Sequence, residues 1–228
     1  MFLGHFGVAF GAKKLAPMTS LGTLVLAAQF LDILWPNLLL VGVEQVRIVP
    51  GLTAVNPLEF VSYPISHSLA MAALWAVLFG LVYGVVRRYR AGAVVAALCV
   101  VSHWLLDFIV HVPDLPLVPG GSMKVGLGLW ESLPATLVAE LAVFAAGIVV
   151  YARTTAAADR IGRYGLWGLV LFLAAMYLAS VFGPPPPDAS TVAWADQGQW
   201  LIVLAAYWVD RHRRPAAAVR LANRAASL

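Results

Sequence analysis

Charged residues are scarce in this 228-residue chain, where Asp, Glu, Lys and Arg make up only 11% of the sequence. Soluble globular domains carry about 25% of these residues. The hydrophobic share is 61% and the mean hydropathy is +0.85, so the composition excludes an ordinary soluble domain. It predicts an integral membrane protein, and a chain of this length suffices for one helical bundle with little left over.

Several chemical signatures are also missing. The single cysteine, Cys99, cannot form an intrachain disulfide, and we expect it to pack in the protein core. The chain contains neither the His-Glu-x-x-His pattern of a zinc protease helix nor a Walker motif, which sets those enzyme classes aside. No basic residues precede the apolar start and no small-residue cleavage site follows it, so we do not expect a signal peptide.

Long apolar runs are what the sequence has in abundance. A helix needs about 20 residues to cross a hydrocarbon core, and six runs reach or approach that length. They are residues 21–43, 66–86, 92–112, 133–151, 164–183 and 192–209. Pro36 interrupts the first run, and Asp196, Gln197 and Gln199 make the start of the last one polar. The predicted fold is an all-α integral membrane protein with about six transmembrane helices.

The basic residues predict how these helices are oriented. In a six-span arrangement, all of the 15 Lys and Arg residues except Arg47 and Lys124 fall on one side. By the positive-inside rule that side is cytoplasmic, which places both termini inside a cell (inner) membrane and three loops outside. The net charge of +4 therefore reflects topology, and we expect membrane lipids as partners and no nucleic acid.

The first twelve residues are apolar but too short to span, at about 18 Å of helix. They are long enough to enter the bilayer halfway, with Lys13 and Lys14 at the cytoplasmic end and His5 raised roughly 12 Å toward the middle. We expect a single membrane domain over residues 1–228. Within it, residues 1–120 carry a metal site, residues 131–209 add further spans, and residues 210–228 form a cytoplasmic tail.

His103, Asp107, His111 and Asp114 stand at the end of the third predicted span. At roughly 100° per residue, they fall within an arc of about 80° on one helix face. Each charged group near a bilayer centre costs on the order of 3 kcal/mol, so such a stripe indicates a functional site. Imidazole and carboxylate groups bind metal ions and move protons.

Other polar groups are predicted at similar depths. Asp32 and Glu140 fall near the membrane midplane, and His67 lies at the outer end of the second span. Together with the third-span stripe they trace a path from the membrane centre to the outer face, which predicts a site open to the outside. Polar pairs inside a bundle also serve simply to hold helices together. Taken singly, Asp32 and Glu140 therefore fit either a functional role or a packing role.

Four separated pieces of the sequence resemble the membrane-bound metal-dependent hydrolases, a family of inner-membrane proteins that LexA regulates in some bacteria. The pieces are Gly4-His5, Asp32-Ile-Leu-Trp-Pro36, Ser66-His67-Ser68, and Ser102-His103 with Asp107. The resemblance covers roughly the first 120 residues. It implies that the matched His and Asp residues bind a metal, and the His-x-x-x-Asp piece is similar to the zinc-binding helices of zinc-dependent phospholipase C and related nucleases.

The chain departs from that family pattern in two places. The family commonly has Asp-x-Asp-His-Pro where this chain has Trp35 before Pro36, so two ligand positions are apolar here. The family often has His-Arg-Gly where this chain has residues 62–64, which read Ser-Tyr-Pro. The resemblance therefore implies either a divergent member in which His111 and Asp114 replace the lost groups, or one that no longer hydrolyses anything.

The function that these observations favour is metal-dependent hydrolysis of an ester, phosphoester or amide, with a lipid or lipid-like molecule as substrate. A divalent metal, zinc above all, suits the ligand types. We predict His67, His103 and Asp107 as ligands, Asp32 as a ligand or general base, and His5 or His111 to complete the metal shell or orient water. Two rivals stay open: a small permease with a midplane His and carboxylate relay, and a non-catalytic membrane scaffold. The oligomeric state cannot be read from the chain.

The predicted topology can be tested by cysteine labelling in intact cells. With Cys99 replaced by Ala, a cysteine at Thr53 or Ser122 should react with a membrane-impermeant reagent. A cysteine at Arg88 or Arg160 should react only after the cells are opened. The reverse pattern would place the site on the cytoplasmic side and change the pool of substrates that can reach it.

Overall fold

A computed structural model describes residues 1–216 of the chain. Its helices are α1 (Leu3–Ala12), α2 (Leu21–Ala28), α3 (Phe30–Leu40), α4 (Leu69–Arg87), α5 (Arg90–Val110), α6 (Leu133–Thr154), α7 (Arg160–Phe182), α8 (Ala189–Asp196) and α9 (Gln199–Arg211). The short strands pair as antiparallel ribbons: β1 (Gln45–Ile48) with β2 (Leu58–Ser62), β3 (Leu115–Pro116) with β4 (Lys124–Val125), and β5 (Thr155–Ala157) with β6 (Arg213–Pro215). A 3₁₀ turn covers Leu129–Glu131.

The number of long apolar helices is lower than the six spans expected from the sequence. Among the described residues, α4, α5, α6 and α7 are each long and apolar enough to cross a membrane. The first predicted span is the bent pair α2 and α3, which meet at 55°, so the count is four or at most five. The chain is a multi-pass, mainly α-helical membrane protein with little sheet.

The prediction for residues 192–209 was wrong. That run forms two short helices, α8 and α9, that are separated at Gln197 and Gly198. The polar residues in its first half make hydrogen bonds to α3: the Gln197 Nε2 group donates to Asn37 Oδ1 at 3.4 Å, and the Gln199 Nε2 group donates to the Asp32 carbonyl oxygen at 3.3 Å. Pro36 has no N–H to offer that carbonyl, so the side-chain donor replaces the missing helix bond.

The short N-terminal helix α1 is confirmed and lies inside the bundle. Leu3, His5, Phe6 and Phe10 are fully buried, although the helix has only ten residues. It packs mainly against α6 and α2. The approach to α6 is close because glycines face each other, and a methyl group added at Gly7 would lie 2.5 Å from the carbonyl oxygen of Val143.

The ends of the helices that carry most of the basic residues gather at one end of the molecule. Lys13, just after α1, pairs with Asp210 near the end of α9 at 2.7 Å. The same carboxylate accepts from the Tyr151 hydroxyl at the end of α6. The turn between α6 and α7 pairs with β6, which follows α9. This grouping agrees with the one-sided distribution of Lys and Arg, while the predicted basic tail after residue 216, with Arg220 and Arg224, lies outside the described residues.

The outer face of the bundle is apolar. The most exposed large side chains on α4 are aliphatic, among them Val82, Val85 and Val86, each more than 60% exposed. Because a water-soluble protein rarely leaves such a surface uncovered, this face fits contact with lipid.

The close packing of α1 on α6 gives a stability prediction. Gly7→Ala should lower the free energy of unfolding by about 1 to 3 kcal/mol, because the added methyl overlaps the α6 backbone. The matched control is Gly168→Ala on α7, where an added methyl meets no atom within 4 Å. Thermal unfolding in detergent should show a lower midpoint for the first variant alone, and equal midpoints would contradict this packing.

Candidate metal centre

Four sequence segments bring imidazole and carboxylate groups to one buried place. Helix α5 supplies His103 and Asp107, which share a face because they are four residues apart. Asp32 lies in the first turn of α3, and His67 lies in the turn that precedes α4. All four are buried or half-buried. Within the described residues, two groups of three have ligand atoms that all lie within 4.8 Å of one another: Asp32 with His67 and His103, and His5 of α1 with His103 and Asp107.

The ring nitrogens point at the carboxylates. The Nε2 atom of His103 lies 3.0 Å from Oδ2 of Asp107 and 3.3 Å from Oδ1 of Asp32. The Nε2 atom of His67 lies 3.3 Å from the same Asp32 oxygen and 3.7 Å from the same Asp107 oxygen. Each of the two nitrogens therefore lies within 3.7 Å of both oxygens, an arrangement that could hold a cation.

The protonation of His103 follows from its second nitrogen. Its Nδ1 atom lies 2.7 Å from the carbonyl oxygen of Ala28, and a carbonyl can only accept, so Nδ1 carries the proton. Neutral imidazole then has a lone pair on Nε2. That buried atom has no hydrogen-bond partner among residues 1–216, although Oδ2 of Asp107 lies 3.0 Å away. A lone pair aimed at two carboxylates requires a positive charge between them, supplied by a proton or by a metal ion.

Glu44 and Ser66 fix His67 in the same tautomer as His103. Glu44 is buried and accepts bonds from the backbone N–H groups of Ile65 and Ser66 and from the Ser66 hydroxyl, the last at 2.6 Å. Since the hydroxyl hydrogen is used there, the Ser66 oxygen accepts from Nδ1 of His67 at 2.7 Å. His67 thus also carries its proton on Nδ1 and presents Nε2 to the carboxylates. Such supporting contacts fix the tautomer of metal-binding histidines.

Helix α1 supports the other side of Asp107. The Nε2 atom of His5 lies 3.1 Å from Oδ1 of Asp107, and the α-amino group of Met1 contacts the same oxygen. The His5 and His103 rings stack in parallel with centroids 3.7 Å apart. Oδ1 is therefore held by α1 while Oδ2 faces His67 and His103. The role of His5 as a metal ligand stays a prediction.

Glu140 binds the start of the N-terminal helix. It lies on α6, and its carboxylate accepts from the backbone N–H groups of Phe2 and Gly4 at 2.7 and 2.8 Å. It therefore binds the N-terminal end of α1, where free N–H groups and the helix dipole favour a negative charge. Of the two readings of Glu140, the structure supports the one in which it holds helices together.

His111 lies next to the cluster but outside the two groups of close ligand atoms. It follows the last residue of α5, and its Nδ1 atom donates to Oδ1 of Asp114 at 2.9 Å. The Tyr63 hydroxyl donates to the same oxygen at 2.9 Å, and burial together with Asp114 raises the pKa of Tyr63, so that this donor keeps its proton. Trp130 covers the ring with centroids 4.2 Å apart.

A cavity of about 300 Å³ joins these groups. Asp32, His67, Asp107 and His111 all line it. Asp32 is the most accessible of the facing carboxylates, with 30% of its side chain exposed against 3% for Asp107. The fifth histidine, His212, lies far along the chain at the basic end and pairs with the exposed Asp159 at 2.6 Å. It has no part in the cluster.

The support of His67 can be tested with one hydroxyl. Ser66→Ala removes the acceptor that fixes Nδ1, and the affinity for a divalent ion, measured with Co²⁺ as a spectroscopic probe, should fall by about 10- to 100-fold. Ser102→Ala is the matched control, because that hydroxyl donates to the Cys99 carbonyl and touches no imidazole. Equal affinities in the two variants would show that the Glu44 and Ser66 contacts do not tune the site.

Comparison with known proteins adds no relative. No family model matches the chain, no curated protein is similar to it, and no solved structure matches its fold. The resemblance to membrane-bound metal-dependent hydrolases therefore stays a prediction from four short motifs. The geometry of the buried cluster, which can hold a metal ion, is the observation on which a functional argument has to stand.

Proposed function

We propose that this protein is a zinc-dependent membrane hydrolase. The observation that carries the proposal is the convergence of two Nε2 atoms, each with its Nδ1 atom committed elsewhere, on carboxylate oxygens of Asp32 and Asp107. Two imidazole and two carboxylate groups form a ligand set that suits zinc. His67, His103, Asp32 and Asp107 would hold the ion.

The bound ion would act as a Lewis acid and lower the pKa of water to about 7. The residues of the chain supply the group that accepts the proton and the contacts that orient it. His111 lines the same cavity and uses its Nδ1 atom on Asp114, which leaves Nε2 to accept a proton from an attacking water. Asp114, held in turn by Tyr63, stabilises the charged imidazolium. Trp130 and Phe60 pack against the ring and fix its direction.

The cavity walls fit a substrate with an apolar part. Phe2, Trp35 and Ile202 line it alongside the polar Gln29 and Gln199 side chains. The cavity also includes Met176 of α7, which is 39% exposed, so it reaches the apolar outer surface of that helix. A scissile ester, phosphoester or amide of a lipid or lipid-linked molecule could enter from the bilayer at this point and place its polar bond near Asp32.

The permease reading is the second candidate, because the broken α2 and α3 pair is a feature that transporters use for ion binding. In such proteins, free carbonyls at the break coordinate the transported ion. Here the Ala28 carbonyl at the break accepts from His103 instead. The break therefore serves to orient a histidine, which favours the hydrolase over the permease.

The hydrolase is tested with the detergent-solubilised full chain. The panel comprises mixed micelles of phosphatidylethanolamine and phosphatidylglycerol, a p-nitrophenyl ester and a p-nitrophenyl phosphodiester. We expect hydrolysis that is lost with a chelator and restored with zinc. His111→Gln should retain its zinc and lose about 10²- to 10⁴-fold in rate, the range for a general base. His212→Gln is the matched control and should keep both metal and rate.

Two other outcomes would overturn the proposal in different ways. In the first outcome, the protein is folded but does not bind zinc, and added zinc does not change its thermal unfolding. Protons would then supply the positive charge, and the cluster would be a set of ion pairs in a scaffold. Zinc-loaded protein that hydrolyses no member of the panel, but carries protons or metal into sealed vesicles, would favour the permease.

A further inference from the structure

A second cavity lies on the opposite side of α2 from His103. It is a groove of about 720 Å³ between α2, α4 and α9, and its floor includes Leu26 and Phe30. Phe79 and Val82 of α4 form one wall, and Tyr207 of α9 forms part of the other. Helices α4 and α9 both border α2 or its continuation without packing closely on each other, which leaves the space open to the outer surface.

The groove has the length of one lipid leaflet. Along α4 it runs from Trp75 to Arg87, a rise of about 18 Å at 1.5 Å per residue. Half of a hydrocarbon core is about 15 Å thick. Its volume also lies within the range of about 300 to 1,000 Å³ that is typical of ligand sites. The shape thus matches an acyl chain that lies along the membrane normal.

The groove has a positive end. Arg87, the last residue of α4, and Arg211, the last residue of α9, both line it there. Neither guanidinium makes an ion pair or a side-chain hydrogen bond to another described residue. The nearby Asp210 carboxylate does not neutralise them, because it already accepts from Lys13, the Leu21 N–H and Tyr151.

We propose that this groove is a binding site for an anionic phospholipid of the leaflet at the basic end of the molecule. An acyl chain lies between Phe30, Phe79 and Leu78, and the phosphate lies between Arg87 and Arg211. Basic residues between membrane helices recognise acidic headgroups in this way. The site shares no ligand residue with the metal centre, since its lining comes from the far face of α2 and from residues at the other end of α4 and α9.

The test compares two lipids that differ only in headgroup. Delipidated full-length protein in detergent is titrated with dioleoyl-phosphatidylglycerol and with dioleoyl-phosphatidylcholine, and retained lipid is counted by native mass spectrometry. We expect at least tenfold tighter binding of the anionic lipid. Arg87→Gln with Arg211→Gln should remove that preference, at about fivefold for each arginine. The control pair is Arg153→Gln with Arg163→Gln, since these exposed arginines do not line the groove.

A further variant distinguishes lipid binding in the groove from general attraction to the basic surface. Leu78→Trp fills the apolar part, leaves both arginines in place, and should weaken binding of both lipids. Equal affinity for the two lipids in the unchanged protein, or full retention of the anionic lipid in both Leu78→Trp and the double arginine variant, would overturn the proposal. An unchanged midpoint of thermal unfolding in detergent would show that each variant is folded.

Discussion

The hydrogen bond from His103 to the Ala28 carbonyl is the contact on which the arrangement of the site depends. It places the proton on Nδ1 and turns Nε2 toward Asp32 and Asp107. Buried carboxylates are costly unless they meet a positive charge, and the cost is higher at membrane depth than in water. The α-amino group of Met1 meets Asp107 on one side, and the two ring nitrogens decide where a further cation would lie.

The carbonyl is available because α2 ends at the bend before α3. Gln29 leaves helical geometry there, with φ −100° and ψ 7°, and the two helices diverge by 55°. The bend also places Asp32 in the first turn of α3, close to both imidazole rings. A straight span over the same residues would satisfy its own backbone and would carry Asp32 along a single helix face. A break within the membrane is thus compatible with a stable fold because a side chain satisfies the backbone group that it frees.

The residues that the sequence singled out come together in the fold, but some of the elements that carry them were not predicted. The i and i+4 spacing of His103 and Asp107 determines their common face once α5 is helical, and the short motifs identified Asp32, His67 and His5. The break in the first span was attributed to Pro36, but it occurs at Gln29, because a bend depends on tertiary contacts as well as on propensity. Glu44 was missed, since it reaches Ser66 only through the folding of the β1 and β2 ribbon between them.

The prediction of a last span over residues 192–209 was wrong for a related reason. Its mean hydropathy reflected Val192 to Ala195 and Leu201 to Val209, while the polar residues between them bind α3. Those same contacts place Gln199 and Asp196 on the wall of the cavity that holds Asp32. A polar interruption in an apolar run therefore marks a segment that folds onto the site.

Helix α2 is fixed at both of its ends. Its first residues are held by the Ser20 hydroxyl, which accepts from the Thr23 N–H, and by Asp210, which accepts from the Leu21 N–H. Its last carbonyl is held by His103. Eight residues of helix extend only about 12 Å, so the contacts at Leu21 and at Ala28 lie close together. The groove and the candidate metal centre therefore lie along one short helix, although they share no lining residue.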